Sequence, residues 1–137
     1  MRHDDCIFCK IANGEIPSAT IYEDDDFRAF LDLNPATRGH ALLVPKDHFA
    51  NLFELDEEHA KKAILLAKKI GTRMKDKLGC DGLNLVQNNG EAAGQTVFHF
   101  HMHLIPRYKD DHAGILWEPG KTTPEEMEEI KKLVNED

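Results

Sequence analysis

Residues 94–107 read Gly94-Gln95-Thr96-Val97-Phe98-His99-Phe100-His101-Met102-His103-Leu104-Ile105-Pro106-Arg107. Successive side chains of a β-strand point to opposite faces. A strand over 96–106 therefore places His99, His101 and His103 on one face, about 6–7 Å apart, and Phe100, Met102 and Leu104 on the other, which must be buried. Three imidazoles on one face need partners for their ring nitrogens. They suit a solvated strand, a metal cluster built on the recurring His-x-His ligand pair, or nucleophilic catalysis by the middle histidine, oriented by its neighbours. The preceding loop, 89–95 (NGEAAGQ), carries two glycines. Glycines permit tight turns whose N–H groups form an anion concavity, so the loop suits a phosphate, although such glycines also serve as a plain turn.

Working outward, residues 6–13 form a short helix stopped at Asn13-Gly14. Runs 18–23 and 27–32 are β-prone and flank a hairpin turn at Glu23-Asp24-Asp25-Asp26. Gly39–Pro45 (GHALLVP) is an apolar run bounded by Gly and Pro, and reads as a strand. Residues 55–78 are the clearest helix, with an acidic first turn and a 3.6-residue period through Ala60, Ala63, Ile64, Ala67, Ile70 and Met74. Leu78-Gly79 ends it. A strand over 82–88 precedes the Gly-rich loop, and a final acidic helix begins near Pro124 with Thr123 as N-cap. Without a regular βαβ alternation, this order predicts a single α+β domain over 1–137 with a mainly antiparallel sheet.

Composition narrows the function. The chain has 137 residues, 17 basic against 25 acidic, for a formal charge of −8. That balance disfavours a general nucleic-acid binder, yet a site can be locally positive on an acidic protein. With 41% hydrophobic and 31% charged residues the chain is ordinary for a globular domain. Its longest apolar stretches, Ala41–Val44 and Ala63–Ala67, are too short to span a bilayer. No apolar segment of signal type follows the first residues, so a cytoplasmic location and no membrane partner are expected. Three cysteines do not suggest a disulfide framework. Cys80 reads as a buried or inert thiol. Cys6 and Cys9, three apart, lie on one face of the first helix and are a moderate zinc signal with two ligands unspecified.

The segment His99-Phe100-His101-Met102-His103-Leu104-Ile105 resembles the His-φ-His-φ-His-φ-φ motif of the histidine triad (HIT) superfamily. So, in that family's order, do Cys6-Ile7-Phe8-Cys9-Lys10-Ile11, Phe30-Leu31-Asp32-Leu33-Asn34-Pro35, Gly39–Lys46 and Asn88-Asn89-Gly90. The resemblance covers about residues 5–107. It implies a HIT-like fold, with a five-stranded antiparallel sheet, a short N-terminal helix, a long helix and a C-terminal helix. It also implies a two-fold homodimer with helix 55–78 and a sheet edge at the interface, which suits a small chain with exposed edges.

The same resemblance implies the site residues. His101 would attack the α-phosphorus of a bound nucleotide, giving a nucleotidyl-histidine that water hydrolyses. Neutral imidazole is a competent nucleophile near pH 7, and an acceptor on its other nitrogen would fix the tautomer. His103 would lie near the phosphate or leaving group, and His40 would join the hydrogen-bond relay. Asn88, Gly94, Gln95 and Thr96 would bind the phosphate. Asp32 would hold the ribose hydroxyls, as a carboxylate can accept two hydrogen bonds from a vicinal diol. Ile7, Phe8, Ile11, Phe30 and Leu42 would line an apolar slot for the base. One branch of the family, mostly bacterial, adds two histidines to the Cys pair, and the matching residues give Cys6, Cys9, His48 and His99. Two thiolates and two neutral imidazoles make a neutral, closed, structural zinc site.

The leading expectation is hydrolysis of a purine nucleoside 5′-phosphoramidate. The runner-up is a dinucleoside polyphosphate hydrolase, because Gly94-Gln95-Thr96-Val97 and Pro106-Arg107 resemble that branch equally. Two readings of other classes are a zinc enzyme using all three histidines on one metal and a nucleotide-binding module with incidental catalysis. His3 is expected in a disordered terminus and His59 in solvent. His112, Trp117 and Arg107 receive no single role, Arg107 suiting either positive potential or a surface salt bridge.

Overall fold

In the computed structural model, residues 2–136 are described. The order is α1 (Ile7–Ala12), β1 (Thr20–Glu23), β2 (Phe27–Leu31), β3 (Ala41–Pro45), α2 (Glu57–Leu78), β4 (Gly82–Val86), β5 (Met102–Arg107) and α3 (Pro124–Asn135). The strands form one antiparallel sheet in the order β1-β2-β3-β5-β4. The α+β architecture is as expected, with element ends trimmed by a residue or two except at the start of β5.

Local chemistry explains the ends. Asp24 Oδ1 accepts from the Asp26 and Phe27 N–H groups, both at 2.8 Å, and closes the β1–β2 hairpin. Asp56 is the N-cap of α2, its carboxylate accepting from His59 N–H at 2.7 Å. Gly79 ends that helix in the left-handed region, φ +65°. Thr123 caps α3 as expected. Cys6 is the N-cap of α1 rather than a helical residue, its sulfur accepting from Cys9 N–H at 3.3 Å. Extended N-cap backbone lets a side-chain acceptor fold over the first turn.

The two sheet faces carry different cores. On one, Phe27, Ala29, Ala41, Leu43, Phe100 and Leu104 pack against Ala63, Leu66, Ala67, Ile70 and Met74 of α2. Ile64, placed by the periodic reading on that face, is 53% exposed, and Leu66 takes its place. The buried stripe runs through 63, 67, 70 and 74, and Ile64 lies one residue, about 100°, off it. On the other face, Phe8 and Ala12 of α1 cover Phe30, Leu42 and Val44. This second face positions the site. Cross-strand partners share a face, and the row Phe30–Leu42–His103–Val86 runs straight across four strands.

Other apolar side chains among the described residues are open to solvent. Leu83 and Leu85 on the edge strand β4, Leu116 and Trp117, and Met127, Ile130, Leu133 and Val134 of α3 are all exposed. No helix among the described residues is long and apolar enough to cross a membrane.

Candidate active site and metal centre

The β3–β5 ladder ends at Leu43↔Met102. Pro45 has no N–H with which to continue it, and the Phe100 N–H turns to the Phe49 carbonyl at 2.6 Å. Residues 96–101 are therefore not strand, and β5 begins at Met102 rather than Thr96. This corrects the alternation argument for two of the three histidines, His99 and His101. Only His103 lies in the strand. His101 sits just before it, buried and with its ring centroid 5.1 Å from that of His103. His99 turns away toward the Cys pair and is fully buried. Phe100 and Leu104 are buried as alternation demands, while Met102 is only partly so.

Partners fix the ring tautomers. His101 Nδ1 lies 2.7 Å from the His99 carbonyl oxygen. A carbonyl only accepts, so Nδ1 carries the proton and Nε2 keeps its lone pair. The Ala36 N–H donates to His40 Nδ1 at 2.9 Å, so the proton of neutral His40 is on Nε2. That N–H faces His103 Nδ1, also at 2.9 Å, which leaves the His103 proton on its Nε2. The chain Ala36→His40→His103 is thus a relay of fixed polarity, ending on a donor beside the His101 ring.

Asp32 follows β2. One oxygen accepts from Asn34 N–H at 2.8 Å, and the other is 3.6 Å from His40 Nε2. Asp32, His40 and His103 could geometrically surround a cation, but the Ala36 bond occupies the second nitrogen of His40 and protonates the first. That tautomer is a poor ligand.

The second cluster has the opposite character. Cys6 Sγ, Cys9 Sγ, His48 Nδ1 and His99 Nδ1 all lie within 4.8 Å of one another. His99 Nδ1 is 3.3 and 3.4 Å from the two sulfurs, and His48 Nδ1 is 3.4 Å from Cys9 Sγ. A tetrahedral zinc with ordinary bond lengths sets S and N about 3.5 Å apart. His99 Nε2 donates to the Pro45 carbonyl at 2.8 Å, which turns the Nδ1 lone pair inward. Cys9 N–H and His3 N–H point at the two sulfurs, both at 3.3 Å. Burial pushes the Cys9 thiol up, and a divalent cation is the charge that would hold it as thiolate. The residues present fit a closed zinc site, and zinc there would supply cross-linking of α1 to the loops beside β3 and β5.

In the loop before the triad, Glu91–Ala93 form one 3₁₀ turn ended by Gly94 at φ +94°. The buried Gln95 amide is used internally. Its oxygen accepts from Gly90 N–H, and its nitrogen donates to the Ala50 and Val97 carbonyls. Thr96 is exposed and Asn88 partly so. Of the apolar residues, Phe8, Phe30 and Leu42 cluster with Ile11 at their margin, while Ile7 is 52% exposed and outside the cluster.

The model of the HIT domain matches residues 13–110. The chain belongs to the HIT family. Protein hit of Bacillus subtilis is 45% identical over 134 residues, covering 96% of this chain and 92% of the relative. Adenosine 5′-monophosphoramidase hnt1 of Schizosaccharomyces pombe is 38% identical, covering 95% and 96%. Among solved structures, a Zn-bound histidine triad family protein from Mycobacterium smegmatis is 38% identical with a TM-score of 0.77, covering 85% of this chain and 84% of that one.

Several features of this HIT domain were beyond sequence reading. The carbonyls of His99 and Pro45 and the N–H of Ala36 are backbone groups with no residue signature. His3 is not loose: its ring stacks on His48, centroids 3.8 Å apart and 13° from parallel. His59 is not solvated either, packing against Phe27 and Phe49. Arg107 is held by Asp111 and Asn84, the salt-bridge alternative. Cys80 is partly exposed.

Burial lowers the pKa of His40 and His101, and takes His103 down to about 4. The lone pair on His101 therefore survives to lower pH than that of a free imidazole. For a reaction that needs it, the acid limb of kcat/KM, which reports the free enzyme, should fall below pH 6.5. A limb at or above 6.5 would contradict this. Stability follows the same sign. As pH drops from about 6.5 toward 4, the unfolded chain takes up protons the fold refuses, and the fold weakens.

Proposed function

We propose that the protein hydrolyses purine nucleoside 5′-phosphoramidates to the monophosphate and an amine, through a nucleotidyl intermediate on His101. The observation that carries this reading is the bond from His101 Nδ1–H to the His99 carbonyl, which leaves Nε2 as a lone pair in a buried, water-poor setting. The name of the S. pombe relative supplies the substrate class.

In the first step His101 Nε2 forms a bond to the α-phosphorus as the P–N bond breaks. The departing nitrogen takes a proton from water and leaves as the amine, with His103 Nε2–H, held in that tautomer by the Ala36→His40→His103 relay, donating a hydrogen bond at the reacting phosphate. The hydroxide so formed, or a further water that gives its proton to solvent, then attacks phosphorus, breaks the P–N bond to His101 and restores that ring to its neutral form. Asp32, through the oxygen facing His40, meets the ribose hydroxyls. The Gly94 turn, Thr96 and Asn88 bind the phosphate, with Gln95 bracing the loop from within. Phe8, Phe30, Leu42, Ile11 and Ile7 bound the base. Zinc on Cys6, Cys9, His48 and His99 is structural, and its thiolate ligands suit a reducing cytoplasm.

Cleavage of dinucleoside polyphosphates, the second reading within the family, drew partly on Arg107. With its guanidinium committed to Asp111, that residue offers no cation to a longer polyphosphate. Quenching turnover of an adenosine phosphoramidate should trap a nucleotide on His101, and the same enzyme should turn over a diadenosine polyphosphate far more slowly. No adduct, or the reverse preference, would refute the proposal. We further propose a homodimer. The exposed Leu83 and Leu85 of β4 and the apolar stripe of α3 supply surface for it, because a 12-residue helix without packing is marginal in water. Sedimentation as a monomer would refute this part.

A further inference from the structure

The four residues of the Cys/His cluster are not equally sheltered. Cys9 and His99 are fully buried, whereas Cys6 and His48 are partly exposed. An ion leaving the cluster would therefore pass on the Cys6–His48 side, and the N-terminal arm lies there. The His3 ring is stacked on His48, with centroids 3.8 Å apart. Its backbone N–H donates to Cys9 Sγ at 3.3 Å, and its carbonyl accepts from Cys6 N–H at 3.2 Å. Arg2, one residue earlier, is paired with Glu15 beyond the end of α1. His3 thus touches three of the four ligand residues without joining them, since the donor set closes at four without it.

We propose that residues 2–5 form a lid on the zinc site, with His3 as the positioning residue that slows release of the metal. The proposal rests on the zinc reading of the cluster. Stacking fixes the His48 ring in the orientation that aims Nδ1 inward, and the backbone N–H stabilises the Cys9 thiolate. Loss of a group that orients a metal ligand in this way typically costs about 10–100-fold in metal affinity. His3 takes no part in the proposed phosphorus chemistry, so its loss should leave kcat on a phosphoramidate unchanged while zinc is bound.

The test uses the full chain as purified, its zinc content first measured by elemental analysis. Release into excess chromophoric chelator is then timed for the wild type, His3→Ala, His3→Phe and Arg2→Ala. His3→Ala should release zinc roughly 10-fold faster. His3→Phe keeps a flat ring and the backbone N–H but no ring nitrogen, and should stay near the wild-type rate. Arg2→Ala should fall between them. Equal rates for wild type and His3→Ala would overturn the lid while leaving the zinc site standing. Release from His3→Phe as fast as from His3→Ala would overturn stacking as its basis. Wild-type protein without zinc would overturn both readings, and the elemental analysis reveals that before any chelator is added.

Discussion

His101→Ala should lower kcat on a phosphoramidate by roughly 10⁴-fold or more, the scale on which loss of an attacking group is felt, and should abolish the covalent adduct. The expectation rests on the tautomer argument. Among the triad rings, only His101 has its Nδ1–H committed to a backbone carbonyl and its Nε2 left with a lone pair beside a donor imidazole. His103 presents a proton in the same place and cannot substitute as nucleophile. The variant should still fold. It leaves the His99 carbonyl without its partner and a gap beside the Phe8 ring, whose centroid is 5.0 Å from that of His101, a cost of about 1–3 kcal/mol. Its zinc content should match the wild type, since no metal-ligand atom is touched. Unchanged turnover in this variant would remove the nucleophile from the account. A zinc enzyme using the three histidines on one metal predicts instead that the ion is lost with His101.

Cys9→Ser should strip the second cluster. Untreated wild-type protein should carry close to one zinc per chain, and the variant far less. The loss in stability should be on the order of 3 kcal/mol or more, because metal binding at a structural site is folding free energy. Cys9 is fully buried inside α1, and serine is a poor zinc ligand there. With the ion gone, α1 keeps its apolar contacts to Phe30, Leu42 and Val44, the Phe8–His101 ring contact and the Arg28 bond to the Ala12 carbonyl. Thermal unfolding with and without a chelator measures the effect. Zinc absent from untreated wild-type protein, or a Cys9→Ser midpoint equal to the wild type, would sink the structural-metal reading. Cys6→Ser should act in the same direction, with stability falling more than chemistry.

The fold was readable because its signals are local and redundant: the Asp24 turn, the Asp56 cap and Gly79 stop of α2, and the Thr123-Pro124 start of α3. Residue types at spacings pointed to the three histidines of 99–103 and to the Cys6/Cys9 pair, whereas His40, His48 and the roles of His101 and His103 entered through the family resemblance. Pairing of strands was not, because it depends on which backbone groups find partners across the sheet. Alternation extends a strand back to Thr96, but Pro45 on the neighbouring strand stops the ladder at Met102, six residues short of that start. The same break turns His99 off the common face and into the cluster with Cys6 and Cys9. Ile64 was misplaced because a 3.6-residue period tolerates an error of one position at a stripe's edge. His3 carried no signal, since contacts of a chain end are set by what lies beneath it.

His99 places its imidazole among the sulfurs and its carbonyl on the ring at position 101. Such double duty makes the two centres reciprocal. On the proposed chemistry, whatever free energy an ion contributes to holding that ring in its tautomer, covalent loading of the ring must return as an equal change in the protein's grip on the ion.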